Sequence, residues 1–191
     1  GHTEYFQKEF KVKKVLMVFL TPEFFLYLHT RHIPLKNVAS SINSKDLIGS
    51  IKEIVCFYNK SRPGVPKIAV LGLNPHASDG GLIGDEESKN IIPAIAILKK
   101  NGLDISGPYP ADGFFRSSNR KKYQIIVSMY HDQSLPVIKT IFDDTVNCTV
   151  GLPFLRLSPD HGPAYDIAGK GIANPASLNR AVEYALRFNG V

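Results

Sequence analysis

The residues best suited to chemistry crowd into the stretch from Ser128 to Pro175. It holds an adjacent His131-Asp132, an isolated Lys139, Asn147 and Arg156 on apolar segments, and His161-Gly162 opening a Gly-rich turn. A packed core has no need of so many polar side chains, since each must find a partner or cost free energy. A site that grips an anionic substrate, a metal ion and a cofactor does need them. Of six histidines, three fall where predicted strands end: His32 in RHIPL, His76 in NPHAS and His131 in YHDQ. Ligands gather at such strand ends in α/β sheets. Three neutral imidazoles would hold a divalent ion and leave a position open for substrate. Spacing alone does not separate a shared metal from three solvated loop histidines.

The elements that must position these residues alternate along the chain. Val15 to Leu20 and Phe24 to Thr30 are β-rich runs broken by Thr21-Pro22-Glu23, which predicts antiparallel strands. From Ser44 to Lys60, Leu47, Ile48, Ile51, Ile54, Val55 and Tyr58 recur at helical spacing, until Ser61-Arg62-Pro63-Gly64 ends the pattern. Lys67 to Leu73, Gln124 to Tyr130 and Thr145 to Leu152 read as buried strands. Asn74 to Gly84 is a Gly-rich loop, and Asp85 is the expected cap of a helix through Lys100, kinked at Pro93. Asn174 caps a last helix with Pro175 at its first position, running to about Arg187 and ending without an evident partner for its apolar face. The pattern is that of an α/β domain with a mixed sheet flanked by helices. No linker marks a second domain.

Composition narrows the function classes. With 23 basic and 17 acidic residues the net charge is only +6, and the short clusters Lys11–Lys14 and Arg120–Lys122 form no basic stripe interleaved with aromatics. Nucleic acid is therefore not an expected partner, whereas a small anionic substrate suits the charge. No apolar run reaches membrane-spanning length, so no membrane partner is expected either. Cys56 and Cys148 lack CxxC spacing and sit among apolar residues, as buried free thiols of a reducing cytoplasm would. No GxGxxG follows a strand, so a Rossmann site is not supported.

Five motifs in order carry a resemblance: GHTE at the start, TRHIPL at Thr30–Leu35, GLNPHASDGGLIGDEE at Gly72–Glu87, MYHDQSLPVIK at Met129–Lys139 and VNCTVGLPFLRLSPDHG at Val146–Gly162. The chain resembles the 4-hydroxythreonine-4-phosphate dehydrogenases of pyridoxal phosphate biosynthesis from Gly1 to about Leu178. That resemblance implies a fold like the isocitrate and isopropylmalate dehydrogenases, with two α/β domains flanking a cleft. It also implies a homodimer whose subunits share the active site. Residues 1–191 would supply one metal- and substrate-binding domain, with the part from about 160 leading back toward the other. Roughly the first two-fifths of the family's length would lie upstream, so this chain alone is expected to be nearly inactive.

Carried over position by position, His32, His76 and His131 match ligands of a divalent ion such as zinc, magnesium, manganese or cobalt. The third, His131, is expected from the neighbouring subunit. His2 and Thr3 match substrate contacts, as do Lys139, Asn147 and Arg156. Asp112 and Asp132 match carboxylates beside the metal and, with Lys139, are the candidates for proton handling. His161, Gly162 and Ala164 match the cofactor loop that lies against the adenosine half of NAD or NADP. The implied reaction is oxidation of a secondary alcohol beside a carboxylated carbon, followed by loss of carbon dioxide. The chain departs from the family at Ser134, where glycine is usual, at Ser78-Asp79, and over Ile141–Asp144, where a Gly-rich segment is usual.

Two other substrate classes fit the same residues: a four-carbon sugar-acid phosphate, and a hydrolase substrate attacked at a three-histidine metal. An HD-type phosphohydrolase needs distant His and Asp partners in an all-helical setting, and those are missing.

Overall fold

The computed structural model describes residues 2–188. In chain order the elements are α1 (His2–Glu9), β1 (Leu16–Leu20), β2 (Phe25–Leu28), α2 (Val38–Ser41), α3 (Ser44–Ser61), β3 (Ile68–Leu71), α4 (Ile92–Lys100) and β4 (Ile105–Tyr109). There follow α5 (Ala111–Phe114), α6 (Ser117–Arg120), β5 (Ile125–Ser128), α7 (His131–Ile141), β6 (Val146–Val150), β7 (Arg156–Pro159) and α8 (Ala176–Phe188). The strands form one seven-stranded sheet in the order β4-β3-β5-β2-β1-β6-β7.

The sheet is mixed in two blocks. β4, β3, β5 and β2 run parallel, whereas β1 is antiparallel to both β2 and β6, and β7 is antiparallel to β6. The β1–β2 hairpin expected from Thr21-Pro22-Glu23 is held by its threonine. Thr21 Oγ1 accepts from Phe24 N at 2.9 Å and donates to Phe24 O at 2.7 Å.

Strand alternation divides the apolar residues between two faces. Leu16, Val18, Leu20, Val146 and Cys148 pack under α3, α4 and α8, while Met17, Phe19, Leu26 and Ile126 pack under α5 and α7. The buried stripe of α3 is Leu47, Ile51, Ile54, Phe57 and Tyr58. Cys56 lies off that stripe and is exposed, unlike the buried thiol expected there, while Cys148 is buried and free. Burial pushes the Cys148 thiol up.

Two helix expectations change in detail. Asp85 does not cap N–H groups with its side chain; its carbonyl accepts Lys89 N at 2.8 Å and its carboxylate pairs with Lys89 Nζ at 2.5 Å. Instead of a kink, a π turn at Glu87–Ile91 precedes Pro93, which has no N–H to give and would crowd the carbonyl four residues back. α8 also finds partners: Ala181 and Tyr184 are buried, Tyr184 Oη donates to Thr21 O at 2.7 Å, and Phe188 stacks on Phe57 at 4.5 Å. Only its outer positions Leu178, Val182 and Leu186 stay half exposed.

A histidine outside the strand-end set sits in the core. The His29 side chain is 1% exposed, with Nδ1 3.2 Å from Tyr27 Oη and Nε2 3.9 Å from Asp46. Burial lowers its pKa from 6.5 to about 4, against the pull of the Asp46 charge and with help from Lys14. The folded state thus holds a neutral imidazole that takes a proton when exposed by unfolding below pH 6.5. Stability should be complete above pH 6.5 and fall by about 3 kcal/mol as pH drops to 4. Denaturant midpoints across that range check this, and His29→Gln should flatten the slope between pH 6.5 and 5.

Candidate functional site

Because β2, β5, β3 and β4 are parallel neighbours, their carboxyl ends share one edge of the sheet. Each delivers a candidate residue there: His32 after β2, His131 and Asp132 after β5, His76 after β3, and Asp112 in the first turn of α5 after β4. Loops leaving this edge are where α/β sheets bind ligands.

His32 and His131 stand together, with ring centres 6.1 Å apart. With metal–nitrogen bonds near ~2 Å, two imidazoles on one ion have ring centres about 5–6 Å apart. Each ring has a carboxylate beside Nδ1: Asp132 Oδ1 is 3.0 Å from His131, and Glu4 Oε1 is 3.6 Å from His32. A hydrogen-bonded carboxylate, as Asp132 is to His131, orients the ring and leaves Nε2 free to ligate, while Glu4 stands just beyond that distance from His32. Among the described residues no three His, Cys, Asp or Glu side chains come together as a complete metal centre in one copy. His131 stands beside His32 within one copy, and His76 is not part of a three-donor group with them among the described residues.

His76 rides on a loop of unusual backbone. His76, Ala77, Ser78, Asp79 and Gly80 all have positive φ, from 43° to 73°. Four consecutive non-glycine residues in the left-handed region cost on the order of 1–3 kcal/mol each, so the surroundings must enforce the shape. Buried Glu87 does much of this: Oε1 accepts Leu73 N and Asn74 N, both at 2.7 Å, and Oε2 accepts Asn74 Nδ2 at 2.8 Å. Ser78 Oγ donates to Gly84 O. The loop folds back so closely that a Cβ on Gly72 would lie 2.8 Å from Ala77 Cα. Gly72→Ala should therefore displace the His76 loop, costing about 1–3 kcal/mol in denaturant unfolding and weakening divalent-ion binding in the same preparation.

Gln133 ties the His76 and His131 loops together. Its Oε1 accepts Met129 N at 2.7 Å and Ser128 Oγ at 2.8 Å, while Nε2 donates to Gly72 O at 2.6 Å. Ser134 extends this network by donating to Ser128 Oγ at 2.8 Å. Sequence reasoning singled out neither Gln133 nor Glu87. Their polar neighbours in HDQS and DEESKN hid them, since no apolar period marks either position.

The other candidates occupy one face of the sheet. Val146 and Cys148 point into the core under α3, so Asn147 and Thr149 point to the α7 face. Asn147 Oδ1 is buried there with no hydrogen-bond partner. Arg156, opposite Thr149 in the ladder, donates through Nη1 to Thr149 Oγ1 at 2.6 Å and to Thr3 Oγ1 at 3.3 Å. Lys139 of α7 reaches Asp160 Oδ1 at 3.1 Å, just past β7. α1 spans between the two groups, since Thr3 touches Arg156 and Glu4 approaches His32. His2 is exposed at the start of α1, and Thr3 is buried.

His161 and Ala164 line a cavity of about 370 Å³ together with Lys139, Asp160, Asn174 and Ser177. Ala164 has φ +50°, and Gly162 O lies 3.0 Å from His161 Nδ1. Pockets for small organic ligands begin at roughly 300 Å³, which puts this cavity at the lower end of that range.

Residues 1–185 match the family model described as pyridoxal phosphate biosynthetic protein PdxA. The chain is 46% identical to a 4-hydroxythreonine-4-phosphate dehydrogenase of Bradyrhizobium diazoefficiens, over 98% of this chain and 56% of that one. It is also 46% identical to one from a Sulfurihydrogenibium species, over 100% of this chain and 59% of the other. A crystal structure of the Klebsiella pneumoniae 4-hydroxythreonine-4-phosphate dehydrogenase superposes with a TM-score of 0.84 at 36% identity, covering 98% of this chain and 57% of that one. The chain thus spans just over half the length of the relatives it matches. Among the described residues no helix is long and apolar enough to cross a membrane.

Proposed function

The chain belongs to the pyridoxal phosphate biosynthetic protein PdxA family, and from that premise we propose that it forms the metal- and substrate-binding part of a nicotinamide-dependent oxidative decarboxylase. Its substrate is 4-phosphohydroxy-L-threonine and its product 3-amino-2-oxopropyl phosphate. The observation that carries this reading is the His32–His131 pair at the carboxyl edge of the parallel strands, joined through α1 to Arg156.

His32, His76 and His131 would hold a divalent ion, with one of the three imidazoles coming from a second copy. When bound, the ion would supply Lewis-acid stabilisation of an oxygen that gains negative charge, and NAD or NADP would supply the hydride acceptor. The chain's own residues do the rest. Arg156 presents a guanidinium fork to phosphate or carboxylate oxygens. Lys139 adds a second positive charge beside the cavity that His161 and Ala164 line, and Asn147 Oδ1 accepts a substrate hydroxyl or ammonium hydrogen. Lys139, Asp132 and Asp112 are the candidates for moving a proton onto the carbon that loses carbon dioxide.

A four-carbon sugar-acid phosphate is the second reading, since a hydroxyl would serve Asn147 Oδ1 as well as an ammonium group. The test follows reduced-nicotinamide absorbance in the protein with a divalent ion and either NAD or NADP. It compares phosphohydroxythreonine with threonate and erythronate phosphates. Phosphate or other hydrolysis products without reduced cofactor would overturn oxidation in favour of hydrolysis.

A further inference from the structure

Arg156 is a half-buried cation whose partners among the described residues are two hydroxyls and an aromatic face. Nη1 bonds Thr149 Oγ1 at 2.6 Å and Thr3 Oγ1 at 3.3 Å, and the guanidinium carbon lies 5.5 Å from the centre of the Phe6 ring. All of these hydrogen bonds use one nitrogen, leaving the edge formed by Nε and Nη2 for a bidentate anion. Phe6 is itself fixed. It meets Phe154, in the β6–β7 connection, edge-on at 5.8 Å, and Phe10 meets the same ring at 4.9 Å.

We propose that Thr149 and Phe6 are positioning residues for substrate binding, holding the Arg156 guanidinium with its open edge toward the substrate's phosphate or carboxylate. The inference rests on the reading of Arg156 as an anion-gripping residue. An unrestrained arginine loses rotamer freedom on binding, whereas one already clamped does not. Thr149 suits the task because it is 2% exposed, so water cannot replace its oxygen. Phe6 contributes a π face that attracts the guanidinium without competing for its hydrogens. α1 therefore has a role beyond carrying His2 and Thr3: it supplies the platform under the arginine.

The test uses inorganic phosphate binding by calorimetry and steady-state kinetics with the phosphorylated substrate. Thr149→Val should weaken phosphate binding and raise KM about tenfold, the size of one lost hydrogen bond to a charged group, with kcat within about twofold. Thr149→Ser should restore binding. Phe6→Leu should cost about threefold to tenfold, and Phe6→Tyr should restore it. A general packing defect would not be rescued by the retained hydroxyl or ring. Wild-type phosphate affinity in folded Thr149→Val and Phe6→Leu, with Arg156→Met crippled, would overturn the positioning role alone. Undiminished phosphate binding in Arg156→Met would overturn the underlying reading of Arg156, and the positioning role with it.

Discussion

His131→Ala should lower divalent-ion affinity by more than the roughly 10–100-fold that loss of an outer partner of a metal ligand costs. Asp132→Asn, which keeps the imidazole but weakens the group beside Nδ1, should fall within that smaller range. Competition against a chelating dye reads both without any need for turnover. The sharper expectation concerns pairs of variants. His32 and His131 sit side by side in one chain, and no third ligand joins them among the described residues, so a copy lacking His76 still offers an intact pair. Mixing His76→Ala with His131→Ala protein should then rebuild one complete site per mixed dimer and recover metal binding that neither variant shows alone. If mixing recovers nothing while each variant remains dimeric, the shared centre is wrong.

The gathering of His32, His76 and His131 at one sheet edge was readable because the three imidazoles followed three apolar runs, and parallel strands bring such ends together. The strands themselves were legible for the same reason: the runs 68–71 and 125–127 are buried on both faces and are continuously apolar. β4 (ISGPY) and β7 (RLSP) were not, since they are the sheet's outermost strands and carry glycine, proline or polar residues. α7 was hidden by Pro136, which removes a helical hydrogen bond; only Ser134, Leu135 and Ile138 are buried along it. α1 buries a single residue, Thr3, so its sequence carries no apolar period. Its place is set by Phe6 and Phe10 against Phe154, contacts across more than 140 residues that no local pattern encodes. The side-by-side placement of His32 and His131 was hidden for a related reason. Strand order decides which loops are neighbours, and the order β3-β5-β2 puts the His131 loop between the other two.

Lys139→Met should damage activity and stability together, and the two effects should be separable. Lys139 Nζ lies 3.1 Å from Asp160 Oδ1, and the Asp160 side chain is only 10% exposed. That carboxylate also accepts Thr145 Oγ1 at 2.7 Å, while Asp160 N donates to Ser177 Oγ at 3.0 Å. Removing the ammonium leaves a nearly buried carboxylate without its counter-charge, and such half-broken pairs are worse than no pair. Lys139 is itself half exposed, so water screens part of the loss, and about 1–2 kcal/mol is expected by denaturant unfolding. Lys139→Met with Asp160→Asn should recover most of that stability, since the uncompensated charge is gone and Thr145 still finds an oxygen. Turnover should not recover if Lys139 serves the substrate as proposed, because the cation beside the cavity of His161 and Ala164 is still missing. Full recovery of turnover in the double variant would mean that Lys139 matters only as the partner of Asp160. Loss of turnover that persists at wild-type stability assigns the ammonium group to the chemistry.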